Sequence, residues 1–177
     1  YPNVVTSQQY ERILSPSGPY GGHLKRPSDG HEPPRIAWIQ CVGSRRADRN
    51  WCSAVCCMYA TKQTLITKEH APGTDCTVFY IDFRAYGKGF DANYERARAS
   101  GVRYLRAMPS AIRQEPGTED LEIQYALPDG RLVTETFDLV VSCETVEHLP
   151  DPIAALHAVA RVLRPGGTLL LTTPHYT

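Results

Sequence analysis

The segment RIAWIQCVGSRRADRNWCSAVCCMYATKQ, residues 35–63, combines the pattern of a strand, a connecting turn and the start of a helix. Its first residues, Arg35 to Val42, form an apolar run that is typical of a buried strand. Residues Cys52 to Glu69 are predicted to form the next helix, on which Cys52 and Cys56 would share one face because they are four residues apart. A buried strand followed directly by a helix indicates an α/β fold.

The remainder of the chain repeats this alternation. LEIQYALPDGRLVTETF alternates polar and apolar residues around Asp129-Gly130, which predicts a β-hairpin. We therefore predict a Rossmann-like, doubly wound and mostly parallel sheet with an inserted β-hairpin. The further strands are expected at Cys76–Asp82, 102–106 and 137–141 and the further helices at Asp91–Ser100 and Ile153–Leu163, with a last strand after Gly167. We expect three regions: an entry segment (1–34), a Rossmann-like iron–sulfur cluster domain (35–141) and a methyltransferase-like helix and strand (142–177). In the entry segment a short apolar run and a helix-like turn precede a linker rich in Pro, Gly and Ser.

Four cysteines lie close together in the opening segment, with the spacing Cys-x10-Cys-x3-Cys-Cys: Cys41, Cys52, Cys56 and Cys57. They can be core residues, a disulfide pair, a zinc site or the ligands of an iron–sulfur cluster. Neighbouring cysteines pair poorly with each other, and structural zinc favours two Cys-x2-Cys knuckles, which are absent. A [4Fe–4S] cluster needs four thiolates and tolerates irregular spacing, so this pattern favours it.

The position of the cysteines bears on nucleotide binding. In a dinucleotide-binding domain the first strand–helix turn carries Gly-x-Gly-x-x-Gly, which seats the pyrophosphate on the helix start. Here the turn has only Gly43, and cysteines take the remaining place. We therefore expect no NAD(P) binding of the usual kind. The positive end of the helix, with Arg45, Arg46 and Arg49 of the turn, would stabilise an anionic cluster instead.

Composition excludes several classes of partner. The chain has 177 residues, with 19 Lys and Arg against 19 Asp and Glu, so its formal net charge is zero. This argues against nucleic acid or an anionic membrane as the main partner. The six cysteines suit a reducing, cytoplasmic location, and Cys76 and Cys143 are expected to be core or loop thiols rather than ligands. Because the first residues, YPNVVTSQQYERI, include neither an initiator Met nor a signal peptide, we expect a processed chain or a fragment.

Several uncommon strings occur in an order that resembles the iron–sulfur flavoprotein component of heterodisulfide reductase, from about Tyr1 to about Val141. They are NVVTSQQYERILSPSGPYGGHLKRPSDG, IAWIQCVGSR, WCSAVCCMYATKQ and FYIDFRAYGKGF. The resemblance implies that Cys41, Cys52, Cys56 and Cys57 ligate a [4Fe–4S] cluster. It also implies electron transfer between that cluster and a flavin, FAD in the full-length family protein, with the other redox subunits of the complex as partners. The FAD fingerprint and the ferredoxin-like motifs of the family are missing from this chain.

The end of the chain resembles a different family. FDLVVSCETVEHLPDP and VLRPGGTLLLTTP are similar to the later part of a class I S-adenosylmethionine-dependent methyltransferase, over about Phe137 to Pro174. Glu144, Glu147 and His148 match a segment of that family, but the glycine-rich turn that grips the methyl donor is absent, so we do not expect methyl transfer. The chain thus resembles a fusion of two families near Val141. A methyltransferase fragment and a zinc-stabilised interaction domain remain the alternatives.

Overall fold

The computed structural model describes residues 1–45, 47–48, 50 and 52–143. In chain order its helices and strands are β1 (Val4–Thr6), α1 (Ser7–Leu14), β2 (Arg35–Ile39), α2 (Cys56–His70), β3 (Asp75–Tyr80), α3 (Phe90–Ala99), β4 (Arg103–Arg106), β5 (Pro109–Gln114), β6 (Leu121–Ala126), β7 (Leu132–Phe137) and β8 (Leu139–Ser142). The predicted helix Ile153–Leu163 and the last predicted strand lie outside the described residues.

Five strands form one parallel sheet in the order β1-β8-β2-β3-β4. From β2 the chain passes through α2 to β3 and through α3 to β4 on one side, while β8 and β1 lie on the other side of β2. The parallel strands with helical crossovers confirm the predicted Rossmann-like α/β fold.

Strand β2 is buried on both faces, which explains its unbroken apolar sequence. Ile36 and Trp38 belong to the core formed with the helices, whereas Ala37 and Ile39 belong to a second core on the opposite face. Trp38 meets the ring of Tyr10 edge to face, with 5.3 Å between ring centroids. The sheet is therefore the middle layer of three.

The second core is covered by a small antiparallel sheet of β5, β6 and β7. Phe79 of β3 packs edge to face on Tyr125 of β6 and Phe137 of β7. The predicted hairpin is present as β6 and β7, and Gly130 in its turn has a φ of 84° that favours glycine. Strand β5 was not predicted, because it begins at a proline and lacks a regular apolar alternation.

The segment before β2 is anchored to this sheet system. Strand β1 pairs with β8 at the sheet edge, and Leu24 is buried. Residues 15–34 form neither helix nor strand, but Arg26 within them donates hydrogen bonds to Asp29 and, at 2.5 Å, to Oδ1 of Asp120.

The predicted division of the chain into regions at residues 34 and 141 remains a prediction. Among the described residues, no helix has both the length and the apolar character needed to cross a membrane.

Glu135 of β7 joins the two sheets. Its carboxylate accepts hydrogen bonds from Arg35 of β2, at 2.8 Å, and from Arg103 of β4, at 2.7 and 3.0 Å, and from the Tyr125 hydroxyl. Burial raises the pKa of Glu135, but the hydrogen bonds, first those from Arg103, hold it below its ordinary value. A depressed pKa means that the carboxylate stabilises the fold above its unfolded-state pKa and loses this effect as the pH falls through the folded value.

Replacing Glu135 by Gln is expected to lower the free energy of unfolding at pH 7 by about 1–3 kcal/mol, because Arg35 and Arg103 lose their shared carboxylate. The difference from the unmodified chain should shrink as the pH is lowered below 4.5, the ordinary pKa of this carboxyl. Urea unfolding of both chains at pH 7 and at a pH below 4.5 measures this difference. Glu95→Gln is the control, since Glu95 pairs only on the surface with Arg98, and equal effects of the two substitutions would contradict the prediction.

Candidate metal centre

The carboxyl ends of β2 and β8 meet at the place where the strand order reverses. Strand β2 continues to β3 on one side, and its other neighbour is β8. In open parallel sheets, ligands bind beyond the carboxyl ends of the strands at such a switch point. Cys41 follows β2 and Cys143 follows β8 at this edge, and Cys143 N donates to Ile39 O at 3.2 Å. The fold therefore brings two cysteines from distant parts of the chain to its ligand-binding edge.

Helix α2 begins at Cys56, so the predicted start at Cys52 is wrong. Ala54 has a φ of 61°, a left-handed conformation that cannot continue a helix, and Val55 caps the first turn. Cys52 therefore lies in the irregular segment before the helix, and the argument that it shares a helix face with Cys56 fails. Cys56 and Cys57 occupy the first turn, where backbone N–H groups have no partner within the helix.

Cys57 lies against the loop that follows β3. The Arg84 backbone N–H donates to Cys57 Sγ at 3.4 Å, and the thiol is 3.8 Å from the carbonyl oxygen of Asp82. The pKa of Cys57 is lowered, chiefly by a hydrogen bond from Cys56 and further by the Arg84 N–H, although burial opposes the shift. Cys57 is thus the thiol of this pair that ionises first.

Cys56 has the opposite tendency. Its pKa is raised, first by its hydrogen bond to Cys57 and then by burial, while Ser53 lowers it and Cys143 raises it further. The two adjacent cysteines thus differ in the direction of their pKa shifts, as expected when two buried thiols would repel each other as anions.

Cys41 and Cys52 complete the group. Cys41 is buried in a left-handed backbone conformation, with a φ of 62°. Burial raises its pKa, a hydrogen bond from the Ile81 backbone lowers it, and the neighbouring Cys57 and Cys52 raise it. Cys52 is half-buried. Among the four predicted ligands, Cys41 lies within electrostatic reach of Cys57 and Cys52, and Cys56 interacts with Cys57.

Positive charge lines the same turn. Arg45 donates to Asn50 at 2.9 Å and to Asp82 at 3.2 Å, and Arg84 also reaches the Asp82 carboxylate. Lys88, in the glycine-containing loop after β3, is exposed. Arg46 and Arg49, like Glu144, Glu147 and His148 of the tail, lie outside the described residues.

No group of three or more His, Cys, Asp or Glu side chains in the described part of the chain is arranged around a single metal ion. A cluster makes a different geometric demand, because each thiolate binds a different iron and the sulfurs surround a group of atoms rather than one ion. The donor chemistry suits such a group, since thiols, the N–H groups at the start of α2 and two arginines lie in this region. Gln40 Oε1 and Arg45 Nε, on either side of Cys41 in the chain, are buried and have no hydrogen-bond partner among the described residues.

Two residues at this edge were missed by sequence reasoning, Gln40 as a polar group of the site and Cys143 as its neighbour. Gln40 Nε2 donates to Cys143 Sγ at 3.3 Å, and both side chains are buried. The available signal was their position: Gln40 lies near the end of the apolar run Arg35 to Val42, and Cys143 follows the run 137–141. Adjacent parallel strands end at the same edge, but local periodicity does not reveal which strands are neighbours.

Comparison with known proteins identifies relatives over most of the chain. It is 39% identical over 173 residues to the CoB–CoM heterodisulfide reductase iron–sulfur subunit of Methanocaldococcus jannaschii, covering 94% of this chain and 26% of that protein. It is 45% identical over 145 residues to a corresponding iron–sulfur subunit of Methanopyrus kandleri, covering 80% and 22%. The chain is similar to this component of heterodisulfide reductase. It spans about a quarter of the length of these curated relatives.

A second similarity overlaps the first. A family model described as a methyltransferase domain matches residues 84–171, which begin after β3 and include the small sheet and β8. Residues 1–141 make up about 80% of the chain, so the alignment that covers 94% extends into the tail. The predicted fusion near Val141 therefore remains a prediction. Among solved structures, lysine monooxygenase NbtG from Nocardia farcinica is similar with a TM-score of 0.47 and 11% identity, over 96% of this chain and 43% of that one.

The different burial of the thiols predicts their reactivity in the cluster-free protein. Cys52 is half-buried and the other five cysteines are buried. With a water-soluble disulfide reagent under native conditions, one thiol per chain should react in a fast phase, because access limits the others. Cys52→Ser should remove this phase and Cys76→Ser should leave it unchanged. A fast phase that survives in Cys52→Ser would show that another cysteine is the accessible one.

Proposed function

We propose that this chain is the part of a heterodisulfide reductase-like oxidoreductase that holds a [4Fe–4S] cluster on Cys41, Cys52, Cys56 and Cys57. The observation that carries the proposal is the position of Cys41 after β2 and of Cys56 and Cys57 in the first turn of α2, next to the switch point of a parallel sheet. The similarity to iron–sulfur subunits of heterodisulfide reductase supports the same assignment.

The bound cluster would supply one-electron transfer. The chain's own residues would set the conditions for it. The four thiolates would hold the group, with Cys56 and Cys57 at the positive end of α2, where N–H groups favour negative charge. The Arg84 N–H donates to Cys57 Sγ, and such bonds to sulfur favour the reduced state. Burial of Cys41, Cys56 and Cys57 limits access of water.

In the full-length protein we expect the electrons to pass to or from FAD and to other redox subunits, in the cytoplasm. The chain spans about a quarter of its relatives, so the flavin, the partners and the overall reaction belong to this proposal rather than to the fold itself. The place that would hold a dinucleotide pyrophosphate contains the cysteines and only Gly43, which is consistent with a cluster in place of NAD(P).

Iron and acid-labile sulfide, measured after anaerobic purification, test the cluster. About four of each per chain and a cubane EPR signal after reduction are expected. Cys56→Ser should remove or convert the cluster. Cys76→Ser is the matched control, because Cys76 is an equally buried thiol but lies near the start of β3, at the opposite edge of the sheet.

Three outcomes would contradict the proposal in different ways. A full complement of iron in Cys56→Ser would refute the assignment of that ligand. Zinc without labile sulfide would favour the zinc-stabilised interaction domain. Neither metal nor sulfide, even after reconstitution, would mean that the cysteines do not assemble a centre.

The match of residues 84–171 to a methyltransferase domain favours one second candidate, a fragment of an S-adenosylmethionine-dependent methyltransferase. We do not expect the methyl donor to bind, because the chain lacks the glycine-rich turn that would grip it. Calorimetry with S-adenosylmethionine at millimolar concentration distinguishes the two functions. Saturable binding would support the methyltransferase fragment, and the absence of heat would remove it.

A further inference from the structure

The loop that follows β3 forms one wall of the candidate centre. The backbone N–H of Arg84 donates to Cys57 Sγ at 3.4 Å, and the same sulfur lies 3.8 Å from the carbonyl oxygen of Asp82. A hydrogen bond from the Ile81 backbone also lowers the pKa of the Cys41 thiol. Main-chain groups of this one loop therefore contact two of the four predicted ligands.

The Asp82 carboxylate connects this loop to the cysteine turn, residues 40–55 between β2 and α2. A loop has no ladder of main-chain hydrogen bonds to fix it, so its side-chain contacts decide where its N–H donors lie. Asp82 Oδ2 accepts hydrogen bonds from Nη2 of Arg45 and from Nε of Arg84, each at 3.2 Å. Arg45 belongs to the cysteine turn, where its Nη1 also donates to Asn50 at 2.9 Å. One carboxylate thus joins the loop after β3 to the turn that carries the first two cysteines.

An aromatic side chain anchors the same loop elsewhere. The ring of Phe83 packs on Tyr94 of α3, with 4.3 Å between ring centroids, and edge to face on Tyr104 of β4, at 5.5 Å. These contacts attach the loop to two elements that carry no candidate ligand. The Asp82 carboxylate attaches it to the cysteine turn, and it therefore governs the distance between the loop's N–H donors and the sulfurs.

We propose that Asp82 is a positioning residue of the candidate centre: it clamps the loop after β3 to the cysteine turn and so holds the Arg84 N–H on the Cys57 sulfur. This inference rests on the proposed function, because it concerns the group that those thiolates would bind. A lone carboxylate beside an anionic cluster would be unfavourable. Here two guanidinium groups offset its charge, so the contribution of Asp82 is the arrangement of the main chain.

The first measurement uses the full chain without a cluster, isotopically labelled at the α-nitrogen of arginine. Amide hydrogen exchange followed by NMR reports how firmly the Arg84 N–H is held. Arg84→Lys identifies the signal, because it removes the label but keeps the main-chain N–H. Asp82→Ala should accelerate exchange of the Arg84 amide about tenfold, since two charge-assisted hydrogen bonds to the loop and the turn are lost. Asp82→Asn keeps one oxygen acceptor and should accelerate it less.

The second measurement uses the same labelled chain after reconstitution and reduction with dithionite, with iron counted in each variant. Pulsed EPR should detect the labelled nitrogen of residue 84, because a hydrogen bond to sulfur carries spin density onto its donor. Arg84→Lys should abolish this coupling. Asp82→Ala should retain about four irons but weaken the coupling about twofold or more, because the released loop no longer holds its donor on the sulfur. Asp82→Asn should restore part of the coupling.

Asp129→Ala is the matched control and should change neither the exchange rate nor the coupling. It removes a carboxylate that likewise holds an arginine, Arg131 at 2.8 Å, but in the turn between β6 and β7.

Unchanged exchange of the Arg84 amide in Asp82→Ala would overturn the proposal, as would an unchanged coupling in a fully loaded Asp82→Ala. If Asp82→Ala loses its iron, the weakened coupling has to appear in Asp82→Asn, and its absence there overturns the proposal. Absence of iron from the unmodified chain would instead refute the proposed function, and the exchange measurement would still decide whether Asp82 holds the loop.

Discussion

The parallel pairing of β2 with β8 is the constraint on which the rest of the structure depends. Residues about a hundred positions apart lie side by side, with Ile36 opposite Leu139 and Trp38 opposite Val141. Each of these two strands is buried on both of its faces: one face packs against the helices and the other against the small sheet. Because the strands run in the same direction, their carboxyl ends meet, and Gln40, Cys41 and Cys143 lie together.

The candidate centre follows from this edge and from the start of α2. The left-handed Ala54 ends the irregular turn, so Cys56 and Cys57 enter the helix at its positive end. Buried thiols repel each other when they ionise, and the hydrogen bond between Cys56 and Cys57 shifts their pKa values in opposite directions. Iron and sulfide would remove this conflict by neutralising the thiolates. The same edge carries Arg45 Nε, a buried donor without a hydrogen-bond partner among the described residues, which a bound anion would satisfy.

The two similarities of the chain meet on a common architecture. Most of this chain resembles part of the iron–sulfur component of heterodisulfide reductase, and a methyltransferase model matches its residues 84–171. The two matches overlap in the residues from position 84 to β8 of this chain's parallel sheet. Which of the two similarities indicates the function therefore depends on the residues at the strand ends. These are cysteines and not a glycine-rich turn of the kind that binds a nucleotide.

The sequence by itself determined the local elements. Continuous apolar runs predicted β2, β3 and β8, because such strands are buried on both faces, and Asp129-Gly130 predicted the turn between β6 and β7. The cysteine spacing indicated the four candidate ligands, since they are near neighbours in the chain. Only the tertiary structure decided that α2 begins at Cys56, that β5 joins the small sheet, and that Gln40 meets Cys143. The first depends on the backbone angle of Ala54, and the others on pairing between distant segments, which local periodicity does not encode.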